Sequence, residues 1–136
     1  MRLMIVIAAL VSACIPAERD WNAVAQQAEA IRTYCEKQFL SGVLGSELAT
    51  EQCANPAIRS LYAGAEFRDI DILDAYLAKR EALAAQLDRK AISPEDEMVL
   101  ISNAKTEAYS AIQQRANARA VAPAAVMSTM PLTSRP

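Results

Sequence analysis

Three cysteines, one short acidic run and the lack of histidine bound the chemistry open to this 136-residue chain. Asp69, Asp71 and Asp74 stand in Arg68-Asp69-Ile70-Asp71-Ile72-Leu73-Asp74. A calcium loop places carboxylates at that spacing, but it also wants glycine at its sixth position and a bidentate glutamate at its twelfth. Counted from Asp69, those positions hold Asp74 and Arg80. The motif fails, and the run reads as a solvated helix face. Without histidine the commonest general base and metal ligand are missing, and no Cys/His or Ser/His pairing can be built. The chain has no Gly-x-Ser-x-Gly elbow and no phosphate-cradling glycine loop. Nothing marks out a particular pair of carboxylates for acid–base work. The expectation is therefore no catalytic residue, no cofactor and no metal.

Cys14 carries a different chemistry. Arg2 precedes an apolar run, Leu3 to Val11, and the small residues Ser12 and Ala13 follow. This is the layout of a secretory signal. The run is well short of the ~20 apolar residues of a spanning helix. Val11-Ser12-Ala13-Cys14, with Leu10 in front, resembles the lipobox of bacterial lipoproteins. That resemblance implies cleavage after residue 13, acylation of Cys14 and a firm membrane anchor, because two or more acyl chains hold a protein stably where one does not. The alternative is ordinary cleavage after Ala13, leaving a free thiol. In enterobacterial lipoproteins an Asp after the cysteine retains the protein in the inner membrane. Here the residue is Ile15, which by resemblance favours the outer membrane, facing the periplasm.

Cys35 and Cys53 then remain as an even pair. In an oxidising envelope compartment they read as a disulfide, with two buried thiols as the alternative. Their spacing is too wide for a Cys-x-x-Cys redox pair.

The elements that would position these residues are helical. Only three glycines occur in a chain that is 53% apolar and rich in alanine, the best helix former. Loss of residues 1–13 removes Arg2 and leaves 13 basic against 16 acidic residues, a net charge of −3. That balance excludes a nucleic-acid partner, which needs a basic face. Trp21, Val24, Ala28, Ile31, Cys35 and Phe39 lay a stripe along a first helix over 17–41, with Asp20 as its N-cap. Residues 41–55 read as a connector, with Gly42 as the C′ residue. Asn55-Pro56 reads as a helix start. Gly64 leaves open whether 56–89 is one helix or two, the stronger pattern covering 67–89. Ser93-Pro94-Glu95-Asp96-Glu97 caps and charges a third long helix over 94–119. The short turn before it forces an antiparallel hairpin. Lys79, Arg80, Glu81, Arg115 and Arg119 read as surface charges, and Tyr62, Tyr76 and Tyr109 as core-edge residues. Residues 120–136 lack periodicity and read as a disordered Ala/Pro-rich tail.

The expected fold is thus an all-α small bundle of three main helices, with a C-terminal helical hairpin and one disulfide. Its domain spans 14–119, between a signal of residues 1–13 and the tail 120–136. The mature part resembles, in style, the small α-helical lipoproteins of unknown function in proteobacteria. The expected role is a non-catalytic envelope lipoprotein, acting as accessory or scaffold subunit to an envelope protein. The competing role is a small binding module, such as an inhibitor or exclusion factor of an envelope enzyme or of a conjugation or secretion apparatus.

Overall fold

A computed structural model describes residues 20–127, with side chains to residue 121. Four α-helices follow in order: α1 Trp21–Leu40, α2 Glu47–Gly64, α3 Ile70–Asp88 and α4 Pro94–Met127. The described residues are all helix and turn, a small bundle as the composition requires. The helix count is four where the periodicity suggested three main ones.

Asp20 caps α1, its Oδ1 accepting from the backbone N–H of Asn22 and Ala23 at 3.0 and 3.2 Å. The helix therefore begins at Trp21 rather than at 17. It closes on Gly42, whose φ of +79° lets Val43 N–H return to the Gln38 carbonyl. This is the C′ role expected of Gly42.

The connector is where expectation and structure part. Ser46, not Asn55, starts α2, its Oγ accepting from Ala49 N–H at 3.0 Å. Asp88 adds a second cap from the far end of α3. Its two carboxylate oxygens accept from the N–H groups of Glu47 and Leu48 at 2.9 and 3.0 Å. These bonds satisfy first-turn donors that otherwise have no partner. Pro56 then lies inside the helix. An interior proline removes one N–H and frees the carbonyl four residues back. Here both Pro56 and Gln52 are exposed, so water can take that carbonyl. Residues 56–64 thus finish α2, and 56–89 contributes to two helices.

The α2–α3 and α3–α4 turns close with the same backbone pattern as α1 but without glycine. Phe67 N–H bonds to the Tyr62 carbonyl and Ala91 N–H to that of Gln86, across Glu66 and Lys90 at φ +56° and +57°. Ser93 starts α4 as expected: its Oγ accepts from Asp96 N–H at 3.0 Å, and Asp96 Oδ2 accepts from Ser93 N–H at 3.3 Å. That is a capping box with Asp in place of the usual Glu. The helix then runs on to Met127, through the first part of the stretch expected to be unstructured. The expected signal of residues 1–13, Cys14 and residues 128–136 lie outside the described residues.

The disulfide joins Cys35 on α1 to Cys53 on α2, with Cα atoms 5.9 Å apart. It sits in the core. Cys35, Ala54, Ile58 and Leu77 are buried together, ringed by Ala28, Ile31, Leu44, Tyr62, Leu73 and Tyr76. Each helix packs on the next in sequence, α1 on α2, α2 on α3 and α3 on α4, while α1 and α4 do not pack on each other. The bundle is therefore open along one side. No described helix is long and apolar enough to cross a membrane.

Candidate functional site

The open side is a groove of about 540 Å³, within the ~300–1,000 Å³ range of small-molecule sites. Its two walls are α1 and α4, and α2 and α3 make its floor. Small residues hollow the walls: Ala25 and Ala28 on α1, Ala108 on α4. The antiparallel turns decide what lines each end. The start of α1, the end of α2 and the start of α3 gather Trp21, Tyr62 and Phe67. Phe67 meets the other two rings edge-on at centroid distances of 5.4 and 5.3 Å. Burial pushes the Tyr62 phenol above its ordinary pKa.

Toward the other end lie Arg32, Arg80 and Lys105. Arg32 and Arg80 converge on one carboxylate, Glu51 of α2. Arg32 Nη1 reaches both Glu51 oxygens at 3.0 and 2.9 Å. Arg80 Nη2 reaches Oε1 at 2.7 Å, and its Nε lies 3.1 and 3.0 Å from the two oxygens. The three side chains are 12%, 14% and 10% exposed in the order Arg32, Arg80, Glu51. Arg80 Nη1 also donates to the Tyr76 hydroxyl at 3.3 Å. Burial alone would raise the Glu51 pKa, but the two guanidinia outweigh it and hold the carboxyl below its ordinary value. Burial likewise opposes the charge on Arg80, and Glu51 more than offsets it, so its pKa is raised. One carboxylate thus serves two cations and links α1, α2 and α3. Among the described residues no other acceptor meets Arg32 Nε or Nη2.

Arg80 is therefore not the surface charge its run Lys79-Arg80-Glu81 suggested. A signal was present. Leu73, Leu77, Ala84 and Leu87 leave a gap in their stripe, and Arg80 occupies it at the right helical spacing. Glu81 is engaged too, accepting from Asn55 Nδ2 at 2.9 Å, while the same amide donates to the Leu77 carbonyl at 3.2 Å. Asn55 Oδ1 is buried with no partner among the described residues.

The acidic run is distributed rather than gathered. Asp74 pairs with Arg59 of α2 through bonds of 2.8 and 3.1 Å. Asp71 takes two 2.7 Å bonds from Arg115 of α4. Asp69, 3% exposed, accepts from Arg119 and from Arg115. Arg119 first, and Arg115 with it, holds the Asp69 carboxyl below its ordinary pKa against some desolvation. These arginines neutralise the carboxylates a cation would need. Among the described residues no group of three or more Cys, Asp or Glu is placed to hold a metal. The three tyrosines of the apolar stripes do not share one environment. Tyr62 and Tyr76 are partly buried against the core, whereas Tyr109 is 62% exposed.

No known family model matches this chain, and neither a curated protein nor a solved structure does.

Proposed function

We propose that this protein is a membrane-anchored, non-catalytic envelope lipoprotein that works as an accessory or scaffold subunit. The observation that carries the accessory role is the placement of α4. It packs on α3 alone, and Met98, Val99 and Val121, which do not line the groove, are all exposed on it. Scattered apolar residues are normal on a surface. Three of them along one long helix that packs on its bundle by a single side offer apolar surface that a partner helix can cover. The anchoring rests on Val11-Ser12-Ala13-Cys14, and the Cys35–Cys53 bond accords with an oxidising compartment.

Two measurements test this reading. Mass spectrometry of the mature protein should give an acylated N-terminal Cys14; an unmodified thiol there refutes the anchor. A photoreactive residue in place of Met98 or Val99 should capture one envelope protein in living cells, while the same residue in place of Tyr34 on α1 should not. Equal capture from both helices, or none from α4, refutes the accessory role.

A further inference from the structure

The groove between α1 and α4 is graded from end to end. Trp21, Tyr62, Phe67 and Ile112 line one end, and Arg32, Arg80 and Lys105 the other. Arg32 keeps Nε and Nη2 without an acceptor among the described residues, and Arg80 Nη1 has only a tyrosine hydroxyl. Lys105 pairs with no carboxylate there and lies 5.9 Å over the Tyr109 ring. Two acids stand close to these cations, the paired Glu51 and the groove-lining Glu29. Glu97 lies higher on α4, close enough to feel Arg80 but outside the lining.

An elongated apolar channel ending in spare guanidinium donors fits one kind of small molecule. We propose that the groove binds a single-chain amphiphile with a carboxylate head, a long-chain fatty acid. Its head would lie by Arg32, Arg80 and Lys105, and its chain would run toward Trp21. Two dimensions agree. From Arg32 to Trp21 the α1 rise of 1.5 Å per residue gives about 16 Å, the reach of a long acyl chain. At about the ~30 Å³ that a water takes in the liquid for each methylene-sized group, 540 Å³ is room on the scale of one long chain. Guanidinium forks suit the carboxylate. The inference does not depend on the lipid anchor.

Trp21 is the chain's single tryptophan and lines the groove, so its fluorescence reports occupancy. The full chain carrying Cys14→Ser, which cannot be acylated, is titrated with stearate labelled by a nitroxide near either the carboxyl or the methyl end. Saturable one-to-one quenching is expected, stronger for the methyl-end label. Lys105→Glu should weaken binding several-fold, and Ala28→Phe, which fills the groove, at least tenfold. Circular dichroism shows whether each variant is folded, and the exposed Lys105 keeps the test valid if Ala28→Phe is not. Unlabelled stearate should compete at least tenfold better than its methyl ester. Unsaturable quenching, stronger quenching by the carboxyl-end label, equal competition by the ester, or equal competition by phosphatidylglycerol vesicles each overturns the proposal.

Discussion

Replacing Glu51 by glutamine should unfold this bundle more readily than any surface change. Among the described residues the carboxylate is the one anion that meets both guanidinia, whose side chains are 12% and 14% exposed. Removing one partner of a buried ion pair costs about 3–5 kcal/mol, because the other charge is left buried and unpaired. Here two charges are left, which favours the upper end. A glutamine carbonyl still accepts one hydrogen bond, returning about 1 kcal/mol. The net loss should be about 4 kcal/mol. That is a large share of the ~5–15 kcal/mol that holds a domain together, and it corresponds to a fall in Tm of roughly 15–30 °C. Urea unfolding followed by circular dichroism, with the disulfide intact, measures it. Replacing the whole triad, Arg32→Met with Glu51→Leu and Arg80→Met, should be far milder than Glu51→Gln, since apolar side chains of similar volume often substitute for a buried ionic group without loss. The pH dependence adds a second check. The Glu51 carboxyl is held below its ordinary pKa, so its contribution is complete above the unfolded-state value of about 4.3 and is lost as pH falls through the lower folded-state value. Glu51→Gln should flatten that acid limb. A loss below ~1 kcal/mol, the worth of a solvated surface pair, would refute the buried triad.

Four further outcomes follow from the same geometry. Reducing Cys35–Cys53, or replacing both with alanine, opens a loop spanning 18 positions and should cost about 3 kcal/mol by the chain-entropy relation, measured by paired denaturation curves with and without reductant. Asp88→Ala removes the carboxylate that caps α2 from α3 and should cost about 1 kcal/mol, with faster hydrogen exchange confined to the first turn of α2. Lys90→Gly relieves a lysine held at φ +57° and should raise stability by about 1 kcal/mol in the same unfolding assay. Glu97, pushed up by burial and by Glu51 and Asp88 despite Arg80, is favoured protonated in the fold. The stability from that proton is full below the unfolded pKa and lost as pH rises through the folded one, so Glu97→Gln should be slightly more stable than the parent at pH 7, by under ~1 kcal/mol, and equal to it in acid.

What the sequence disclosed was local, and what it concealed was mostly tertiary. The Ser93-Pro94 start is written within five residues, and the structure has it. The stripe on α1 marks Val24 and Cys35, both of which are buried. Trp21, in the same stripe, is 43% exposed because the wall that would cover it, α4, does not reach α1. Asn55-Pro56 carries every local sign of a helix start, yet Ser46 and a carboxylate 41 positions away from Glu47 start the helix earlier. Local propensity cannot foresee a cap supplied from another helix. The triad is a mixed case. Arg80 fills a gap in an apolar stripe, which sequence can reveal, but only the packing of three helices shows that Arg32 and Glu51 meet it. The groove is a property of topology alone: four helices stacked in chain order leave the first and last unpaired.

The helices are not fastened equally, and this bears on both proposals. α1 is tied to α2 by a covalent bond and by Arg32–Glu51, and α2 to α3 by Arg80–Glu51, by Asn55 and by Arg59–Asp74. α4 has neither kind of central fastening. Among its described residues only Ala104 is buried, and its ion pairs, Arg115 and Arg119 with Asp69 and Asp71, lie at the end where α3 begins. Elements with few buried apolar contacts open at lower free energy than the rest of a fold. α4 is therefore the element that can move against a fixed three-helix unit, pivoting near its clamp at Asp69. One wall of the groove is rigid and the other adjustable. A chain entering between Ala28 and Ala108 would press on α4, and a partner seated on Met98, Val99 and Val121 would press on the same helix from outside. Each would change what the other meets. An amphiphile in the groove and a protein on the outer face of α4, if both bind as proposed, would be coupled through one helix, by as much as each favours one setting of that helix over another.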